Sequence, residues 1–214
     1  MTFFYILIVL EWAGFLTGLF FLRKGGRSGT LIVGFLTSVV IAETAVYFAR
    51  IFLHPDVLIN FTNLWYNCML PVQCTFLLLF FYRKTGLAYW KHAIQGFISM
   101  VLFITLLQFF VSDVNRFNIF NYTLEAIFIS ACSLHYLFEL MNSEEIEEVT
   151  RDPFMYVSIG LLLFYLGTLP YNITKFYLFD TYPRLFYIYY YLFFAFNYFL
   201  YGIIIFGFLW AKKK

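Results

Sequence analysis

Seven long apolar segments, which charged residues rarely interrupt, dominate this chain. They lie at residues 3–22, 30–53, 61–82, 93–111, 119–140, 154–175 and 186–210. Each is close to the roughly 20 residues that a helix needs to cross about 30 Å of hydrocarbon. Only 12% of the 214 residues are charged, about half the share found in soluble domains. The sequence therefore predicts an all-α integral membrane protein, a seven-transmembrane helix bundle that forms a single membrane domain over residues 1–214.

Lysine and arginine are distributed unequally between the two sides of the predicted spans. Ten of them fall in the loops after the first, third and fifth spans and in the C-terminal tail, and three fall on the opposite side. Cytoplasmic loops are enriched in Lys and Arg, so we expect the N-terminus outside and the C-terminus in the cytoplasm. No basic region precedes the first span, which we expect to act as its own insertion signal.

Composition also bears on location and partners. The abundance of Phe and Tyr, with 31 and 18 residues, fits an AT-rich bacterial genome, and we expect a multi-pass protein of the inner membrane. The net charge of +2 argues against a nucleic-acid partner. The lipid bilayer and a protein partner remain as the expected contacts.

Several ionisable side chains lie inside the predicted spans. Each costs about 2.5–3.5 kcal/mol on membrane-insertion scales, so each is a candidate functional residue. Counted at about 1.5 Å per residue, the acids, the arginine and the asparagine fall about 5–16 Å from the outer ends of their helices. We expect a ligand or proton site there, composed of Glu11, Glu43, Tyr47, Arg50, Glu125 and Asn197. The alternatives are a packed ion pair with protonated acids that holds the helices together, and a transport pathway.

The fifth span carries a further polar stripe on one face. At about 100° per residue, five side chains fall on the same side of that helix: Asn121, Glu125, Cys132, His135 and Glu139. Lipid would not accommodate such a face, so we expect it to contact protein or water. His135 and Glu139 form the second polar stripe of the chain.

Two prolines lie inside predicted spans, Pro71 in the third and Pro170 in the sixth. Proline removes a backbone donor and kinks a helix. We expect a kink at both positions. Kinks of this kind serve packing, and broken helices in two halves of a chain also mark transporter sites.

The loop at residues 139–152 is strongly acidic. We expect it on the cytoplasmic side, where acids are tolerated because Lys and Arg set the orientation. We predict that Glu144, Glu145, Glu147 and Glu148 dock on a basic patch of a partner. A solvated linker is the alternative.

Motifs for catalysis or metal binding are absent from the sequence. There is no Gly-rich phosphate loop and no GxSxG elbow. The three histidines, His54, His92 and His135, lie at different membrane levels, without the spacing of a metal site. The seventh span has no lysine before its end, which excludes a retinal Schiff base at the usual position. We predict no catalytic residues, no metal and no cofactor, and hence a protein that is not an enzyme.

The last third of the chain resembles a known group of membrane proteins. The residues that carry the likeness are Arg151-Asp152-Pro153-Phe154, the helix Gly-Leu-Leu-Leu-Phe-Tyr-Leu-Gly-Thr at 160–168, and Asn197 and Tyr201 in the last span. In these it is similar to bacterial seven-helix proteins akin to the membrane input modules of seven-transmembrane sensor histidine kinases. No kinase domain follows the last span in this sequence, so the resemblance implies a stand-alone sensing module that acts through another protein.

These patterns lead to one leading hypothesis and two alternatives. The leading hypothesis is a non-enzymatic sensory or signalling accessory protein that acts through a cytoplasmic or membrane partner. The first alternative is a small secondary transporter that uses the intramembrane carboxylates. The second is a structural subunit of a larger membrane complex.

Overall fold

A computed structural model describes residues 2–111, 116–142 and 149–211. Within these ranges the chain is helical, without strands, and contains seven helices that are long and apolar enough to cross a membrane. The all-α architecture with seven candidate spans is thus confirmed. The orientation of the termini stays a prediction.

The first two spans belong to one helical stretch, Thr2–Phe52, that is divided at Gly26. Gly26 has a φ of 56°, a left-handed conformation that residues with a Cβ rarely adopt. The seven helices are α1 (Phe3–Phe21), α2 (Gly26–Phe52), α3 (Pro55–Lys84), α4 (Ala88–Val111), α5 (Ile119–Met141), α6 (Pro153–Thr181) and α7 (Pro183–Ala211).

Helices α3, α6 and α7 are longer than the apolar segments that predicted them. Each begins at a proline, which suits the first helical turn because its missing N–H would be unpaired there. α3 therefore starts at Pro55 rather than at residue 61, and α6 continues to Thr181 rather than ending at 175. The length of the apolar segment reflects the thickness of hydrocarbon that the helix crosses. The helix itself continues beyond that segment into the interface.

The chain divides into two compact units. The first consists of Met1–Phe21 and Ala126–Lys214, and the second of Leu22–Glu125. The first unit contains α1, α6, α7 and most of α5, and the second contains α2, α3, α4 and the beginning of α5. The single membrane domain that the sequence suggests stays a prediction.

In the first unit, three helices present buried stripes with a spacing of three and four residues. The stripe on α1 includes Leu7, Glu11 and Phe21. The Phe21 ring stacks on Phe208 of α7, with ring centroids 4.9 Å apart, and meets Phe154 of α6 edge-on at 6.0 Å. Stripes with this spacing let parallel or antiparallel helices pack along their whole length.

Glycines bring α6 and α7 close together. A Cβ built at Gly160 would lie 2.7 Å from the Ile203 side chain, and one at Gly207 would lie 2.8 Å from Tyr156 Cβ. Small residues at membrane helix interfaces let backbones approach closely. The α6–α7 pair is therefore a tightly packed antiparallel hairpin.

The second unit is held in part by contacts between α2 and α3. A Cβ at Gly34 of α2 would lie 2.6 Å from the Phe76 ring of α3. The Trp65 indole N–H donates to the Ala42 carbonyl over 3.2 Å. Close packing and a cross-helix hydrogen bond thus fix this pair, and with it the position of Glu43 on α2.

Candidate functional site

A network of amide side chains links α3, α4 and the start of α5 in the second unit. Asn67 Nδ2 donates to the Arg116 carbonyl over 2.8 Å, and Asn67 Oδ1 accepts from the Asn118 backbone N–H over 2.9 Å. Gln108 of α4 accepts from Asn118 Nδ2 over 2.8 Å and donates to the Arg116 carbonyl over 3.4 Å. Both Asn67 and Gln108 are buried. The segment before α5 is therefore held to two helices at once.

The network continues along the first turns of α5 to Glu125. Asn118 Oδ1 accepts from the Asn121 N–H over 2.9 Å, which is the usual capping bond at a helix start. Asn121 Nδ2 then donates to two oxygens, Thr105 Oγ1 on α4 at 3.3 Å and Glu125 Oε1 at 3.1 Å. Glu125 is only 2% exposed. A buried carboxylate is thus connected to α3 and to the last turns of α4 through neutral amides.

Glu43 has a partner on the neighbouring helix of the same unit. Tyr66 of α3 donates its hydroxyl to Glu43 Oε1 over 2.7 Å, and the charge of Arg50 acts on the same carboxylate. Arg50 is exposed, and the Tyr47 ring is half-buried and packs edge-on against Phe48, 5.6 Å away. The Tyr66–Glu43 hydrogen bond thus joins α2 to α3.

Glu11 and Asn197 belong to two helices of the first unit, α1 and α7. Phe3 and Phe21 of α1 contact Phe194 and Phe208 of α7, which sets the register of the two helices. Glu11 lies eight residues after Phe3 and ten before Phe21, whereas Asn197 lies three after Phe194 and eleven before Phe208, so the two contacts do not place them at one level. Both side chains are buried, and Asn197 donates to the Phe193 carbonyl of its own helix over 2.8 Å.

The predicted six-residue site is therefore divided between the two units. Glu11 and Asn197 belong to the first unit, while Glu43, Tyr47, Arg50 and Glu125 belong to the second. Within the second unit, Glu43 and Arg50 lie two turns apart on α2. That all six residues form one cluster stays a prediction.

The second polar stripe is present on α5. His135 Nε2 lies 3.5 Å from Glu139 Oε1, one turn along the helix. On the same helix, Tyr136 donates its hydroxyl to Asp152 Oδ2 over 2.6 Å, and Asp152 Oδ1 accepts from the Phe154 N–H at the start of α6. The Arg-Asp-Pro-Phe motif of the resemblance is thus a capped helix start that is fastened to α5.

The prolines lie within helices that continue through them. Thr75 and Thr174 each donate a hydroxyl to the carbonyl of the preceding proline, Pro71 at 2.7 Å and Pro170 at 2.6 Å. Pro71 is buried and Pro170 is exposed. α3 and α6 continue as single helices across both positions, and the kinks stay a prediction.

Two further predictions concern partners and metals. The acidic residues predicted to dock on a partner, Glu144, Glu145, Glu147 and Glu148, lie outside the described residues. In the part of the chain that the structure covers, no group of three or more His, Cys, Asp or Glu side chains could hold a metal ion.

Sequence reasoning missed most of the amide network. It placed Asn121 on the polar face of the fifth span but did not single out Asn67 or Gln108. The available signal was an amide side chain inside an apolar segment, because such a group requires a hydrogen-bond partner in lipid. The partners themselves lie 49 and 51 residues away from Asn67 in the chain, and only the packing of the helices identifies them.

In comparisons with known proteins, no family model, no curated protein and no solved structure matches this chain.

Proposed function

We propose that this chain is a non-enzymatic sensory or signalling accessory protein of a bacterial inner membrane, which acts through another protein. In this proposal the N-terminus lies outside and the C-terminus in the cytoplasm. A change at a buried polar group alters helix packing, and the partner responds to that change.

The observation that supports the proposal is the connection of Glu125 to two other helices. Its carboxylate binds the Asn121 amide, which contacts Thr105 on α4, and Asn118 extends the connection to Asn67 on α3. Removing or adding charge at Glu125 changes what Asn121 can donate to. Three helices would therefore respond together, as a sensing element requires.

The test compares partner association in native membranes between the wild type and Glu125→Gln. Chemical cross-linking followed by quantitative affinity purification measures which proteins accompany each form and in what ratio. The matched control is Asp180→Asn, an exposed acid in the last turn of α6. We expect Glu125→Gln to change the amount of bound partner or its cross-linked sites, and Asp180→Asn to leave both unchanged.

Other outcomes would support the alternatives instead. A partner that co-purifies at one fixed ratio in all three forms, with unchanged cross-links, indicates a structural subunit. Solute uptake by liposomes that contain the purified protein indicates a transporter. Either result overturns the proposal of a sensory protein.

A further inference from the structure

We infer that Thr105, Asn121 and Glu125 form a binding site for a monovalent alkali cation, for which Na⁺ is the test ion. These residues lie on two helices of the second unit, and two of them are almost completely buried: Asn121 is 5% exposed and Glu125 is 2% exposed. The inference stands whether or not the chain signals.

Charge is the first argument for a cation at this place. Within the described residues, Glu125 makes no ion pair, and its carboxylate has a neutral amide as its hydrogen-bond partner. A buried carboxylate without a compensating charge is very costly. Because one carboxylate carries one negative charge, a single monovalent cation would balance it.

The spacing of the side-chain atoms is the second argument. Asn121 Nδ2 lies 3.3 Å from Thr105 Oγ1 and 3.1 Å from Glu125 Oε1. Both oxygens therefore face the Asn121 amide, and a cation bound between them would contact the same two oxygens. A half-turn of the Asn121 amide exchanges Nδ2 and Oδ1. Three oxygens would then converge, and oxygen ligands are what hard cations prefer.

The unsatisfied oxygen of Asn121 is the third argument. Asn121 Oδ1 is buried and makes no hydrogen bond within the part of the chain that the structure describes. The half-turn brings this oxygen to the cation and leaves the amide nitrogen, with its two N–H groups, at the buried position that Oδ1 now occupies. The gain is a third oxygen ligand on the cation, next to the carboxylate that balances its charge. The Thr105 hydroxyl already donates to the Val101 carbonyl over 2.8 Å, which leaves its lone pairs free to accept.

The experiment measures binding of radioactive sodium to the purified full-length chain in lipid nanodiscs, with choline chloride to keep the ionic strength constant. The wild type should bind Na⁺ saturably at one ion per chain. Sodium should also raise its unfolding temperature, because a ligand that binds only the folded state stabilises it. Glu125→Gln should abolish both effects, and Thr105→Val should weaken binding by about tenfold or more.

Two variants serve as controls for the chemistry of the site. Glu139→Gln removes another acid of α5 and should leave Na⁺ binding unchanged. Asn121→Asp keeps an oxygen at position 121 and should retain binding. Each variant is first required to elute as one symmetrical peak, and if Glu125→Gln fails to fold, Thr105→Val decides.

Three results would overturn the inference. The first is the absence of saturable Na⁺ binding by the wild type. The second is unchanged binding by folded Glu125→Gln or Thr105→Val. The third is an unfolding temperature that responds to pH but not to Na⁺, which would indicate a site for a proton alone. All these measurements are made on the isolated chain, so they are independent of whether a signalling partner exists.

Discussion

Individual polar side chains in this protein matter because their environment offers few substitutes for a lost hydrogen bond. Asn67 illustrates the point, since it donates to one backbone group and accepts from another in the segment before α5. Side-chain amides are among the few groups that can satisfy a carbonyl and an N–H together. The residue therefore connects α3 to a segment that regular secondary structure does not hold.

We expect Asn67→Ala to destabilise the protein. The substitution leaves the Asn118 N–H and the Arg116 carbonyl without their Asn67 partner. Both hydrogen bonds are part-buried, and the loss of such a bond costs about 0.5–1.5 kcal/mol. Thermal unfolding in detergent measures the change. Asn60→Ala, at an exposed position of the same helix, is the matched control. Equal unfolding temperatures for the two variants would contradict the role that we assign to Asn67.

At the residue scale, the sequence predicts neighbours along one helix better than neighbours across helices. The pairs Asn121–Glu125 and His135–Glu139 follow from a spacing of four residues. The Tyr66–Glu43 bond joins residues 23 positions apart, and no periodicity contains that information. The position of a residue along its helix is readable from the sequence, but the rotation of each helix about its axis depends on its packing.

At the scale of helices, the α6–α7 hairpin shows how small residues set a helix interface. A Cβ built at Gly207 would lie 2.8 Å from Tyr156 Cβ and 3.2 Å from the Pro153 carbonyl oxygen. Neither of these atoms can rotate away, because one is a Cβ and the other belongs to the backbone. By contrast, Gly202 on the same helix has no atom within 4 Å of such a Cβ.

These two glycines give a matched pair of substitutions. Gly207→Ala should destabilise the protein by about 1–3 kcal/mol, because overpacking forces neighbouring atoms apart. Gly202→Ala should leave stability unchanged or raise it by up to about 1 kcal/mol, since alanine favours the helix. Unfolding temperatures of both variants in one detergent test the prediction. A Gly207→Ala protein as stable as Gly202→Ala would show that the interface is looser than described.

The existence of all seven helices was predictable because each must satisfy its backbone hydrogen bonds within lipid. Their ends were less predictable. Tyr177 and Asp180 extend α6 although they break the apolar pattern, because polar and aromatic side chains are compatible with a helix at the interface.

At the scale of the whole molecule, the central prediction is the direction in which the chain crosses the membrane. Tyr182 and Gly86 are both exposed and lie between helices, and the distribution of Lys and Arg puts them on opposite sides. Introducing cysteine at each position, with the cysteines at 68, 74 and 132 replaced by alanine, allows a direct test.

We expect Tyr182→Cys to react with a membrane-impermeant thiol reagent in intact cells. Gly86→Cys should react only after the membrane is opened, because we expect its loop on the cytoplasmic side. Mass-tagging of the purified protein measures both reactions. The reverse pattern of labelling would show that the N-terminus lies in the cytoplasm and the C-terminus outside.

The short connection between α6 and α7 also has a consequence for biosynthesis. Only Tyr182 separates Thr181 from Pro183. The connection is therefore too short for α6 to insert into the membrane while α7 remains outside it. Proteins are assembled in the order of synthesis, and the backbone of this turn cannot remain within the hydrocarbon unless it is shielded. We therefore expect the translocation machinery to accept α6 and α7 together, as a preassembled pair that enters the lipid in a single step.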